Sequence, residues 1–159
     1  MALRILARVP DPSRSRVEAS TATGQPIALD ADPPDGDDSA AGPREAVLAA
    51  LAGCTAMDVA AILRKKRQRV GGYEIAVEAE TSEDHPRVFT HVTVEHRVAG
   101  DVDPEAVRRS IELSATRYCP VTAMLSRAVE IEHRYRLVDG TERESVLVAV
   151  TGPEGSQVF

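Results

Sequence analysis

Aromatic side chains are scarce in this chain, 3% of 159 residues, and tryptophan is absent. Any core must therefore be aliphatic. Positive charge is outnumbered: 19 Lys and Arg against 25 Asp and Glu leave a net charge of −6. That balance disfavours nucleic acid and anionic membranes as partners. The first ten residues carry Arg4 and Arg8 and lack the apolar h-region of a signal peptide. The expectation is a cytoplasmic protein, in a compartment where thiols are kept reduced. There is no Gly-rich phosphate loop and no cofactor motif. His85, His91, His96 and His133 make no zinc pattern, since His91 and His96, five apart in a strand, face opposite sides. No metal and no cofactor is expected. Cysteine is the last scarcity: the chain has Cys54 and Cys119 and no others. In a reducing compartment such a pair is catalytic, redox-active or inert rather than a permanent bridge.

What is there suits one globular domain: 43% apolar and 28% charged residues over a length that fits a single core. The domain is taken as 1–159, with a core of about 14–137 and a C-terminal extension over 138–159. The dominant stretch is Gly42 to Arg67, GPREAVLAALAGCTAMDVAAILRKKR. Pro43 suits a first helical turn, Glu45 the positive end of the helix dipole, and Arg64 to Arg67 the negative end. Gly71 and Gly72 are the expected stop. Val47, Leu48, Leu51, Thr55, Val59, Ile62 and Leu63 give one apolar face, and alanines make much of the rest nonpolar. A helix apolar nearly all round is a buried one. Arg44, Glu45 and Asp58 argue against a membrane span.

Around it the chain reads as strands. Leu3 to Arg8 alternates, Ser15 to Ala22 and Pro26 to Leu29 follow, and Asp30 to Ala41 is an acidic surface loop. Tyr73 to Glu78 and Arg87 to Val98 alternate as an antiparallel hairpin with one solvated face. Gly100 ends it. Asp103-Pro104-Glu105 starts a helix that runs to about Tyr118. A second helix covers Pro120 to Val129, and Glu130 to Leu137 is a strand. Asp139-Gly140 is a turn, Val146 to Val150 an extra edge strand, and Gly152 to Phe159 a frayed end. The sum is an α+β fold. So apolar a helix needs more cover than one small sheet supplies, which makes a homodimer plausible.

Only a thiolate attacks, and a free thiol stays mostly protonated at neutral pH. Cys119 precedes Pro120 at a helix start, where N–H groups favour an anion, and Arg117 is close in sequence. Cys54 lies deep in its helix with Asp58 one turn on, and both burial and that carboxylate raise a thiol's pKa. From spacing alone Cys54 reads first as a small core residue. It is reactive only if a cation arrives from elsewhere in the fold.

Three segments carry a resemblance: the helix with AGCTAMDV, the hairpin EDHPRVFTHVTVEHRV, and VRRSIELSATRYCPVTAML. In this order they resemble the OsmC/Ohr family, osmotically induced protein C and the organic hydroperoxide resistance proteins, over about 14–137. The match looks closer to the general OsmC-like branch. The resemblance implies an OsmC-like two-layer fold, with antiparallel sheets around a long buried central helix, and an intertwined homodimer. It implies a thiol peroxidase for organic, including fatty, hydroperoxides. Cys54 becomes a sulfenic acid, Cys119 resolves it to a disulfide, and a dithiol reductant reopens the bond. It places the missing cation at Arg16, with Arg14 the second choice. It offers Glu45 as that arginine's partner, although Glu45 lies nine residues before Cys54, on the opposite helix face. Asp58 is the alternative partner. The expected apolar walls are Leu51, Met57 and Met124, with Val47, Ile111 and Phe89. The alternative is a non-enzymatic or redox-sensing OsmC-like dimer that binds a small apolar ligand.

Overall fold

Three short strands open the chain: β1 (Ile5–Arg8), β2 (Val17–Thr21) and β3 (Pro26–Leu29). A computed structural model describes residues 2–138 and 144–159. The strands form an antiparallel sheet in the order β1-β2-β3, with Leu6 opposite Ser20 and Ala19 opposite Ile27. Gly24, at φ +84°, supplies the left-handed residue in the turn between β2 and β3. The acidic stretch that follows is organised by one buried carboxylate. Asp30 accepts hydrogen bonds from the N–H groups of Ala31 and Ser39 and from the Ser39 hydroxyl. These bonds hold its pKa down at about 2. Gly36 is required there, because a Cβ would lie 1.9 Å from the Ala31 carbonyl oxygen. These strands belong to the first of two compact units, Met1–Val47 and Leu48–Phe159.

Helix α1 (Pro43–Lys65) starts as its sequence requires, with Pro43 at the first position. Its end differs from expectation. Arg67, at φ +56°, adopts the left-handed conformation, and the Gln68 N–H returns to the Leu63 carbonyl. That closure is the Schellman type, so a non-glycine residue stops the helix. Gly71 and Gly72 lie instead inside β4 (Arg69–Thr81), at an irregularity in its pairing with β5 (Phe89–Asp101). Gly100 does not end β5. It sits opposite that irregularity at φ +123°, where a Cβ would come within 2.3 Å of the Arg69 carbonyl oxygen.

Beyond β5 come α2 (Pro104–Leu113), one π-helical turn over Ser114–Tyr118, α3 (Pro120–Leu125) and β6 (Glu130–Leu137). Asp103 caps α2 by accepting from the Glu105 N–H. Two further strands, β7 (Val146–Gly152) and β8 (Gly155–Val158), complete a sheet ordered β4-β5-β6-β7-β8. The end from Gly152 is therefore a paired hairpin rather than frayed, and β8, not β7, is the edge. The turn expected at Asp139-Gly140 lies outside the described residues. One pair breaks the expected antiparallel pattern: β5 and β6 run parallel, with Val94 opposite His133 and His96 opposite Tyr135. Hydrogen-bond direction is invisible to side-chain alternation, which is why the sequence does not disclose it.

The core of the larger unit lies on one face of this sheet. Val92, Val94, His96 and Val98 alternate inward from β5, and Ile131, His133, Tyr135 and Leu137 from β6. From α1 only the stripe Leu51, Thr55, Val59 and Leu63 is buried. Met57 is 75% exposed, so within one chain the helix is covered on one side rather than all round. The apolar residues fall into two clusters. One holds Leu51, Val92, Val94, Cys119 and Ile131. The other holds Val59, Leu63, Val98, Ile111 and Tyr135. At the intervening inward positions stand Thr55, His96 and His133, all fully buried. The Tyr73 hydroxyl lies 2.6 Å from His96 Nδ1, and Thr151 Oγ1 lies 3.4 Å from His133 Nε2.

These histidines couple stability to pH. Burial pushes His96 from the usual 6.5 down to about 3, and His133 down to about 4. Below pH 6.5 the unfolded chain takes up protons that the folded chain refuses until pH falls through about 4. Stability is thus intact above 6.5 and declines between those limits, by about 1.4 kcal/mol per pH unit for each histidine. The urea midpoint is expected to fall steadily from pH 6.5 to about 4, with a shallower fall in His133→Gln. A flat midpoint over that range contradicts the buried neutral pair.

Candidate functional site

Cys54 sits on α1 next to the buried stripe and is half-buried; Cys119 is buried, and both are free thiols. The π turn sets Cys119. Its N–H closes on the Ser114 carbonyl at 2.9 Å, which leaves Cys119 extended before Pro120 opens α3. Such single π turns recur at functional sites. The Thr122 N–H then donates to Cys119 Sγ at 3.3 Å. The neighbouring Val121 N–H lies near Cys54 and favours its thiolate. Two successive backbone donors in the first turn of α3 therefore address the two sulfurs.

Asp58, one turn after Cys54, completes the group. The Cys54 and Cys119 sulfurs and an Asp58 carboxylate oxygen all lie within 4.8 Å of one another. Ser114 holds the carboxylate: its hydroxyl donates to Asp58 Oδ2 at 3.1 Å and lies 3.0 Å from Thr55 Oγ1. Side-chain rotation can close such a sulfur gap toward the ~2.05 Å of a disulfide. Burial, first, and then the Cys119 thiol and the Asp58 charge push the Cys54 pKa up to about 11, against the pull of the Val121 N–H. A thiol so placed is protonated at neutral pH and waits on a positive charge.

The other sequence-predicted residues are placed as follows. Leu51 is fully buried in the Cys119 cluster, and Phe89 packs against it. Ile111 belongs to the other cluster. Met57 and Met124 are 75% and 63% exposed, on the surface of the chain rather than in a closed wall. Arg16 and Arg14 lie in the unit Met1–Val47. There Arg16 donates to the Ser39 hydroxyl and Arg14 pairs with Asp37. Glu45 accepts from the Gly42 N–H at 2.8 Å, the reach-back of a capping box. Sequence reasoning placed helix-start N–H groups at Cys119 but missed Ser114, its contact with Thr55 and the Val121 N–H near Cys54. The break at Cys119-Pro120 was the signal for the helix-start N–H groups, whereas nothing in the sequence marks Ser114 as Asp58's partner.

The sequence model describing the OsmC-like protein matches residues 36–134. The chain belongs to the OsmC-like family. Protein YhfA of Escherichia coli (strain K12) is 42% identical over 119 residues, covering 74% of this chain and 87% of that protein. The crystal structure of an OsmC-like protein from Mycoplasma pneumoniae superimposes with a TM-score of 0.74 at 20% identity, over 87% of this chain and 98% of that one. The organic hydroperoxide resistance protein OhrB of Bacillus subtilis gives a TM-score of 0.60 at 16% identity, over 85% and 98%. These two likenesses are to the OsmC-like fold.

The charge on Asp58 is testable through its neighbour. Asp58→Asn removes a negative charge beside Cys54 and lowers its pKa, so alkylation of Cys54 by iodoacetamide at neutral pH should speed up several-fold. An unchanged or slower rate contradicts the electrostatic account.

Proposed function

We propose that the protein is a thiol peroxidase that reduces organic hydroperoxides. The observation that carries this reading is the approach of two free thiols from distant parts of the chain to within 4.8 Å. The family includes proteins named for organic hydroperoxide resistance. In the first step the Cys54 thiolate attacks the peroxide's terminal oxygen. The O–O bond breaks, the alkoxide leaves and takes a proton, and Cys54 becomes a sulfenic acid. In the second step the Cys119 thiol attacks that sulfur, expelling water and leaving the Cys54–Cys119 disulfide. A dithiol reductant of a reducing, cytoplasmic compartment restores both thiols. Burial and Asp58 oppose the first step, so the reaction requires a cation to stabilise thiolate and alkoxide. We assign it to Arg16, on the resemblance, with Glu45 a helix-capping residue. The active form is a homodimer: the α1 face that carries Met57 is apolar and exposed in one chain, and a second copy covers it.

The rise of Cys54 to about 11 favours a second reading, a non-enzymatic or redox-sensing dimer that binds a small apolar ligand. Free-thiol counts separate the two. With cumene or tert-butyl hydroperoxide the reduced protein is expected to lose both thiols of each chain. Cys119→Ser should stop at a Cys54 sulfenic acid trapped by dimedone. Arg16→Ala should slow the loss about a hundredfold. Thiols that survive the peroxide support the second reading and overturn the first. Loss of both thiols without turnover by a dithiol reductant marks a sensor.

A further inference from the structure

A catalytic dithiol needs two sulfurs, but this site holds a third ligand atom that peroxide reduction does not use. Asp58 is ion-paired to no residue in the larger unit among the described ion pairs. Its Oδ2 is fixed by Ser114, and the carboxylate oxygen and both sulfurs converge within 4.8 Å. We infer that the reduced site is a zinc site in which Cys54, Cys119 and Asp58 are the protein ligands and water takes the fourth position.

The geometry suits that ion. Zinc binds thiolate sulfur at about 2.3 Å and carboxylate oxygen at about 2.0–2.2 Å in a tetrahedron, so its ligand atoms stand roughly 3.5–4 Å apart. A mutual spacing within 4.8 Å needs only a small contraction. Two thiolates exclude magnesium and calcium, which take oxygen ligands. The ion displaces the thiol protons, so the high pKa of free Cys54 makes binding steeply dependent on pH without preventing it. Two thiolates, one carboxylate and Zn²⁺ leave one net negative charge. The Thr122 N–H, which donates to Cys119 Sγ, and the Val121 N–H near Cys54 would offset it. Ser114, which orients Asp58 and touches Thr55, is the supporting outer residue such sites require. Oxidation removes two electrons and two protons from the thiols to form the disulfide, and with them two of the three donors. The site therefore exists only in the reduced protein, and an ion bound there shields both sulfurs from oxidants. This inference rests on the grouping of the three side chains and not on peroxidase activity.

The test is a titration of the reduced, full-length protein with Co²⁺ in the absence of oxygen, followed by displacement with Zn²⁺. Expected is one ion per chain with a thiolate-to-cobalt charge-transfer band and the visible spectrum of tetrahedral cobalt. Zn²⁺ should bleach both and slow the reaction of the thiols with a disulfide reagent. Cys54→Ser and Cys119→Ser should each weaken the charge-transfer band and the affinity. Asp58→Asn should keep the band and lose affinity, and Ser114→Ala should cost about tenfold or more. Protein oxidised with diamide, which takes up the two electrons and protons, should bind nothing at the site. No charge-transfer band, or binding indifferent to either cysteine or to Asp58, overturns the assignment. Since no peroxide enters the titration, its failure would leave the peroxidase reading to its own thiol count.

Discussion

Two parallel strands cannot be joined by a hairpin turn, so the chain between β5 and β6 has to cross the sheet. That crossover is α2, the π turn and α3. Val107 and Ile111 of α2 bury themselves against Val59 and Leu63 of α1 and Val98 of β5. Packing α2 there leaves the next turn no freedom. Ser114 arrives at Asp58, and five residues later Cys119 joins Leu51, Val92 and Val94 in the second cluster. The meeting of the two thiols is a consequence of sheet topology, enforced by hydrocarbon burial rather than by a covalent bond between them. Burial of each such side chain contributes about 1.5–3 kcal/mol, more than the few weak contacts at the sulfurs supply.

Between the clusters runs a polar layer that a core built only for stability would omit. Thr55, Ser114, His96 and His133 are fully buried, and His96 Nε2 and His133 Nδ1 have no hydrogen-bond partner among the described residues. Unpaired buried polar atoms cost free energy. Part of the layer is accounted for by the site, because Ser114, in contact with Thr55, holds Asp58. The histidines lie one inward step apart, His133 opposite Val94 and His96 opposite Tyr135, between two apolar regions that differ in task. One surrounds Cys119; the other fastens α2 to the sheet.

Much of this was legible before any coordinates. Pro26–Leu29 and Glu130–Leu137 are strands over the residues expected, the first marked by the turn at Gly24-Gln25 and the second by period-two alternation. The single long helix and the importance of both cysteine contexts were equally plain. The failures have specific causes. The stop at Arg67 was missed because a left-handed conformation at a non-glycine residue has no sequence signature. The terminal hairpin was read as frayed because the β8 side chains are all exposed and leave no apolar pattern. The helix was expected to be buried all round, since composition does not reveal whether the chain or a second copy covers a face. Asp58 was recognised as the acid nearest Cys54 in sequence, but its tie to Ser114 spans 56 residues and only the fold brings it about.

The central claim is that α1 and the crossover hold Cys54 and Cys119 within bonding reach of each other in one chain. Peptide mapping by mass spectrometry, after mild oxidation of the dilute reduced protein, tests it most directly. The account predicts a chain lighter by its thiol hydrogens and a linked peptide pair containing Cys54 and Cys119 of the same molecule. Thiols that remain free, or that pair only between molecules, would contradict it.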